Sequence, residues 1–155
     1  MSILVLHNIR SAHNVGSMFR TADAAGVSRI ILSGYTPGPT DPRGKVRKPF
    51  VKVSLGAEHT VPFVQVKQLA PVLKKLKHEG YTVVAVEQDS RATPLFAYKP
   101  KNKKLAIVMG NEVRGLSKAA LAYADAIVEI PMRGKKESLN VSVAAGIALF
   151  SLLKN

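Results

Sequence analysis

The chain of 155 residues carries 23 Lys and Arg against 10 Asp and Glu, a formal net charge of +13, with no Cys and no Trp. That length supports one domain with a sizeable core, and the missing cysteine excludes disulfides, thiolate metal sites and thiol nucleophiles, in keeping with a reducing cytoplasm. The charge favours a polyanionic partner, nucleic acid first; no apolar run is long enough to span a bilayer, and 6% aromatic residues disfavour a surface built of many stacking rings.

Residues 2–6 read as a buried first strand, without the basic segment or cleavage signature of a signal peptide. Asn14 is the expected cap of a helix over residues 14–25, with Val15, Met18, Phe19 and Ala22 at helical spacing and Gly26 as its stop. A strand follows at 29–32. Residues 33–49 hold seven Gly and Pro, which predicts a long loop, and its Arg43, Lys45, Arg47 and Lys48 suit an anion-facing role. Residues 50–55 fit a short helix or a strand equally.

Residues 63–66 read as a strand, and Leu69, Val72, Leu73 and Leu76 make 67–78 an amphipathic helix stopped by Gly80. A β-branched strand at 81–86 and a loop at 91–103 with a lysine cluster come next. Residues 105–109 form a strand, and Ser117 caps a helix to 124. The last stretch is a strand at 126–130, a break at Pro131, a basic loop, and a helix entered at 137–140 that is apolar on nearly every face. Such a helix is buried or packed on two sides. Strand and helix alternate throughout, which predicts an α/β fold: a mainly parallel sheet with helices on both faces.

In such folds ligands sit beyond the carboxyl ends of strands. Three loops there pair glycine with polar side chains: residues 8–20, residues 110–115 (GNEVRG) and residues 131–140. GNEVRG lacks the Lys-Ser/Thr of a phosphate loop and the spacing of a dinucleotide fingerprint. A glutamate in a glycine loop suits a neutral or cationic ligand. His7, His13, His59 and His78 are scattered, and no metal-ligand spacing is present.

Taken together the three loops resemble a family. Asn14-x-Gly16-x-x-x-Arg20-Thr21-Ala22, then Gly110-x-Glu112-x-x-Gly115-Leu116-Ser117, then Ile130-Pro131-Met132 and Ser138-Leu139-Asn140-Val141-Ser142 are similar to the motifs of the SpoU (TrmH-type) branch of the SPOUT RNA methyltransferases. The resemblance covers nearly the whole chain, as a single domain over 1–155 in a minimal form without an extension domain. It implies a C-terminal deep trefoil knot, S-adenosylmethionine as cofactor with no metal, and a cytoplasmic homodimer whose active sites use both chains. It implies methyl transfer to a ribose 2′-hydroxyl of tRNA or rRNA. By position it makes Arg20 the catalytic arginine, supported by Asn14, Glu112, Ser138 and Asn140. It puts Met109, Gly110, Ile130, Met132 and Leu139 against the cofactor.

Arg10 and the basic loop Arg43, Lys45, Arg47 and Lys48 are the expected RNA-binding residues, with the lysines of 99–104 as a second candidate. Ser138 and Asn140 also suit plain helix capping. An arginine stays protonated in proteins, so the expected part for Arg20 is to hold the RNA phosphate and hydroxyl and stabilise the emerging alkoxide. A catalytically silent RNA-binding module on the same fold is the alternative.

Overall fold

In the computed structural model, which describes residues 1–154, strands and helices alternate from end to end. Seven strands form one sheet: β1 (Ser2–His7), β2 (Arg29–Ser33), β3 (Phe63–Val66), β4 (Thr82–Val86), β5 (Thr93–Pro94), β6 (Leu105–Met109) and β7 (Ala126–Glu129). Their order is β3-β2-β1-β6-β4-β7-β5. Every pairing between them is parallel. Six helices cover the sheet: α1 (Ala12–Ala24), α2 (Lys48–Ser54), α3 (Ala57–Thr60), α4 (Leu69–His78), α5 (Lys118–Leu121) and α6 (Val141–Leu152).

Central parallel strands are buried on both faces, so they read as unbroken apolar runs. β1 and β6 do: Ile3 to Leu6 and Leu105 to Met109 are at most 2% exposed. Alternate side chains serve opposite layers. Leu4, Leu6, Ile107 and Met109 pack with residues of α1 and α6. Ile3, Val5, Ala106 and Val108 pack with Leu69, Leu73 and Leu76 of α4 and Leu121 of α5. The α/β class and the two-sided covering expected from the alternation are present.

α1 buries Val15, Met18, Phe19 and Ala22 completely. Its Gly16 is a packing glycine: a Cβ there would lie 2.3 Å from the Phe50 carbonyl oxygen of α2. Phe19 completes that packing edge-on, with ring centroids 5.1 Å from Phe50 and 5.3 Å from Phe63.

Several boundaries differ from expectation. Ser11, not Asn14, caps α1: its side chain accepts from the Asn14 N–H, and the helix starts two residues earlier. Residues 50–54 are helical as part of α2, which has Pro49 in its first turn and is capped by Leu55 in a left-handed conformation, φ 50°. The 33–49 loop is partly ordered into a turn by the antiparallel bridge Thr40–Val46, and its last two residues belong to α2. β5 lies inside the expected 91–103 loop. α3 had no sequence signal. α6 is not covered all round: Val141, Ala145, Ala148, Leu149 and Leu152 are buried, but Val143 is 50% and Phe150 56% exposed. Among the described residues no helix is long and apolar enough to cross a membrane.

Candidate functional site

The sheet changes direction at its centre. β1 is followed outward by β2 and β3 on one side, while β6 lies between β1 and β4 on the other. The carboxyl ends of adjacent strands at such a reversal leave a crevice. A pocket of about 320 Å³ lies there, lined from β4, β6 and β7 and the segments that follow them.

Met109, Gly110, Ile130, Met132 and Leu139 all line it, as do Glu112 and Ser138. Asn14 and Asn140 stand behind Glu112. The Asn14 amide donates to the Glu112 carboxylate at 3.3 Å, and the Asn140 amide donates to Asn14 Oδ1 at 3.2 Å. Three segments remote in sequence therefore meet at Glu112.

Glu112 is fixed by more than that amide. Its carboxylate accepts from the backbone N–H of Arg10 at 3.0 Å and of Ser11 at 3.2 Å. These N–H groups lie at the start of α1, where a helix leaves donors unpaired and favours negative charge. Burial pushes the Glu112 carboxyl up. The N–H groups of Arg10, of Glu112 itself and of Ser11, with the Asn14 amide, outweigh burial and hold it below its ordinary value. The glutamate is ionised and bolts the 110–115 loop to α1.

Asn140 caps α6 through Oδ1, which accepts from the Ser142 N–H at 2.9 Å. Capping and the bond to Asn14 are thus both true of this residue. Ser138, by contrast, lies before the helix and is exposed, so it caps nothing. Arg20 is exposed on α1 and is not among the residues lining the pocket. A single chain does not bring Arg20 to it.

The pocket residues that the sequence reading did not single out include Glu87, Gln88, Glu129 and Glu137. The first three follow from the strand-end rule applied to β4 and β7. Glu87 accepts from the Leu116 N–H at 2.9 Å, and the Gln88 amide donates to the Glu137 carbonyl at 2.6 Å. Gly115 makes room for Glu87: its φ is +64°, and a Cβ would sit 2.3 Å from the carboxylate. Asn111 is a further omission. Its amide donates to the Asn8 carbonyl at 2.9 Å, and its Oδ1 accepts from the N–H groups of Val113 and Arg114.

The electrostatics are opposite to those of the chain as a whole. Glu87, Glu112, Glu129 and Glu137 line the pocket, four of the ten acidic residues in a chain of net charge +13. Among the described residues no Lys or Arg lines it, and none of the four is in an ion pair. Val86, Ile130, Met132, Leu139 and Val141 supply apolar walls. A ligand with a cationic centre and a flat apolar part fits this lining. Among the described residues no group of His, Asp and Glu is arranged to hold a metal.

The basic turn stands beside the start of α1. Asp41 accepts from the N–H groups of Arg43 at 2.8 Å and Lys45 at 2.9 Å, and the Arg47 guanidinium donates to the Thr40 carbonyl. Arg43, Lys45 and Lys48 are exposed. Ala12 shares a shallow depression with Asp41 and residues 45–49. Arg10 is exposed two residues before that alanine. The lysines of 99–104 are elsewhere. The Lys104 carbonyl accepts from the Thr82 N–H, and the Lys103 carbonyl from the N-terminal ammonium, at the amino ends of β4 and β1. They lie at the far end of the sheet from the pocket.

Comparison with known proteins gives a consistent set of relatives. The sequence model described as the SpoU rRNA Methylase family matches residues 1–150. The 23S rRNA (guanosine-2′-O-)-methyltransferase RlmB of Escherichia coli K12 is 35% identical over 153 residues, covering 98% of this chain and 59% of that protein. Its namesake in Vibrio vulnificus is 36% identical, with 98% and 58% covered. The chain thus spans less than two thirds of the length of the curated relatives it matches. An AdoMet-bound rRNA methyltransferase from Sinorhizobium meliloti superposes with a TM-score of 0.86 at 31% identity, over 97% of this chain and 54% of that one. A structure described as bearing on the 2-OH methylation of C/U34 on tRNA has a TM-score of 0.79 at 27% identity, over 97% of this chain and 92% of that one.

Proposed function

The chain belongs to the SpoU rRNA methylase family, and from that premise we propose that it methylates a ribose 2′-hydroxyl of tRNA or rRNA with S-adenosylmethionine as donor. The observation that carries the reading is the acidic pocket at the sheet's reversal, in a chain otherwise strongly basic. The cofactor carries a sulfonium and an ammonium beside an adenine, which matches carboxylates set among apolar walls. The basic exterior suits a polyanionic substrate.

Met109, Gly110, Ile130, Met132 and Leu139 would hold the cofactor. When bound, it supplies a methyl group on a positively charged sulfur that keeps the electron pair of the broken C–S bond as the O–CH₃ bond forms. Glu112, Asn14 and Asn140 keep the loops around it in register, and Ser138 on the pocket wall faces the incoming RNA. Arg20 binds the RNA phosphate and the ribose oxygen, and stabilises that oxygen as its proton passes to water. The planar fork of arginine can hold two oxygens at once. Arg10, Arg43, Lys45, Arg47 and Lys48 grip the RNA backbone.

The reading includes a homodimer. Val143 and Phe150 are half exposed on α6, one stripe with Gly146 and Ile147, and α1 packs beside α6 with Arg20 exposed. Closing this face against a second copy buries the stripe and lets Arg20 of the partner subunit reach the pocket. Under the same reading the C-terminal part is tied as a deep trefoil knot, and the insertion of β6 between β1 and β4 is in keeping with that. The reading also places the protein in the cytoplasm.

The test is transfer of tritium from labelled S-adenosylmethionine to RNA of cells lacking the gene, with the methylated ribose mapped by mass spectrometry. RNA binding with no heat of cofactor binding in calorimetry would instead favour a silent RNA-binding module.

A further inference from the structure

Tyr35 is 58% exposed, yet it is held at its backbone and at its hydroxyl. Its backbone N–H donates to Asn8 Oδ1 at 3.3 Å, and its hydroxyl accepts from the Asn111 amide at 3.0 Å. Asn111 is a wall of the acidic pocket. Asn8 holds its place at the cost of a left-handed backbone, φ 54°. Such strain persists where the surroundings over-determine it, and it concentrates at working sites.

The support runs further back. The Asn8 amide reaches His7 Nε2 at 3.2 Å, and His7 Nδ1 meets Ser33 Oγ at 2.9 Å. Burial pushes the His7 ring below its ordinary pKa and keeps it neutral. A neutral ring donates at one nitrogen and accepts at the other, as both bonds require. A chain of hydrogen bonds from the ends of β1 and β2 to the loop after β6 thus immobilises one open aromatic face. The basic turn begins eight residues further along the same segment.

We propose that Tyr35 is a stacking platform for a nucleobase of the RNA, next to the ribose that enters the pocket. This rests on the reading that the chain acts on RNA. Bases splayed from single-stranded RNA stack on aromatic side chains regardless of sequence. A ring fixed beforehand avoids the ordering cost of binding. One rigid ring beside the pocket is a different device from the many-ringed surface that the low aromatic content disfavours. The hydroxyl keeps Tyr35 in register with Asn111, so the seated base is in register with the pocket wall.

The chain has no tryptophan, so Y35W carries a sole indole at the platform. RNA from cells lacking the gene should quench its fluorescence. Polyphosphate, which can occupy the basic turn but has no bases, should not. Y35L should weaken RNA binding about tenfold, with the dissociation constant for S-adenosylmethionine unchanged. Y35F, which keeps the ring, should recover most of that loss. Quenching absent while a mobility shift shows RNA bound would overturn the platform and leave the RNA reading intact. So would a Y35F as damaging as Y35L, or a cofactor affinity that falls in step, since either makes Tyr35 a mere tie between loops. Wild-type protein that shifts no RNA at low salt would overturn the RNA reading and the platform with it.

Discussion

Asn14 and Asn140 meet side chain to side chain at 3.2 Å, although 126 residues separate them in the chain. Each amide has a second partner: Asn14 donates to Glu112, and Asn140 accepts from the Ser142 N–H. Turning either amide over would set like atoms against each other.

Replacing Asn140 separates its two tasks. N140D keeps an acceptor for the Ser142 N–H, so the cap on α6 survives. It loses the donor to Asn14 and faces that oxygen with another. N140A loses both, and missing caps cost about 1 kcal/mol. We expect N140A to melt lower than N140D, and both to transfer methyl far more slowly than the native chain. Thermal denaturation beside a tritium-transfer assay measures the two effects separately.

Glu112 predicts a pH dependence. Its carboxyl lies below the ordinary value in the folded chain, so the unfolded chain takes up the proton first as pH falls. The stabilisation is complete above the ordinary carboxylate range and is lost as pH drops through the folded value. E112Q keeps the shape but offers an amide N–H₂ to donors that need an acceptor. It should be less stable at neutral pH by about 1 kcal/mol, and its melting temperature should fall less steeply below pH 5 than that of the native chain. A urea titration at neutral pH and thermal melts across that range give the two quantities.

Arg20 is exposed on the single chain, so R20A should fold and bind S-adenosylmethionine as tightly as before while losing transfer. If two chains share each site, mixing R20A with N140A after partial unfolding should restore some activity. Mixed dimers would then carry one site with both residues intact. Two inactive proteins that stay inactive together would put Arg20 to work within its own chain.

The turn around Asp41 sets a salt dependence. Every basic side chain withdrawn from an RNA phosphate makes the slope of log affinity against log salt shallower by about 0.7 to 0.9. The triple variant R43A/K45A/K48A should therefore bind RNA with a slope shallower by about two to three. Alanines at Lys101, Lys103 and Lys104 should change it far less, because those lysines stand at the amino ends of the strands.

The strands and the buried face of α1 were legible because parallel strands and packed helices impose fixed periods on apolar residues. What escaped was decided between segments. Ser11 and Asn14 are equally good caps by type. Glu112, 98 residues beyond Asn14, claims the Asn14 amide, and Ser11 is left to cap. Pro49 marks the first turn of α2, yet the prolines before it blurred that signal. The pocket loops after β6 and β7 stand out by their glycines, whereas Glu87 at the end of β4 has no glycine beside it. By sequence Gly16 suits a close approach to a ligand, but the space it leaves is filled by the Phe50 carbonyl. Sequence spacing records that a side chain is absent and is silent on what takes its place.

The order of strands has a consequence for synthesis. β1 emerges from the ribosome before its neighbour β6, which is made some hundred residues later. Until then the nascent chain holds α1 with its leading N–H groups open to water and one edge of its first strand bare. Pairings between such distant segments slow folding. The site is therefore completed only when Glu112 and then Asn140 arrive, and a product cut short before α6 is released without the last of the three stretches of sequence that meet there.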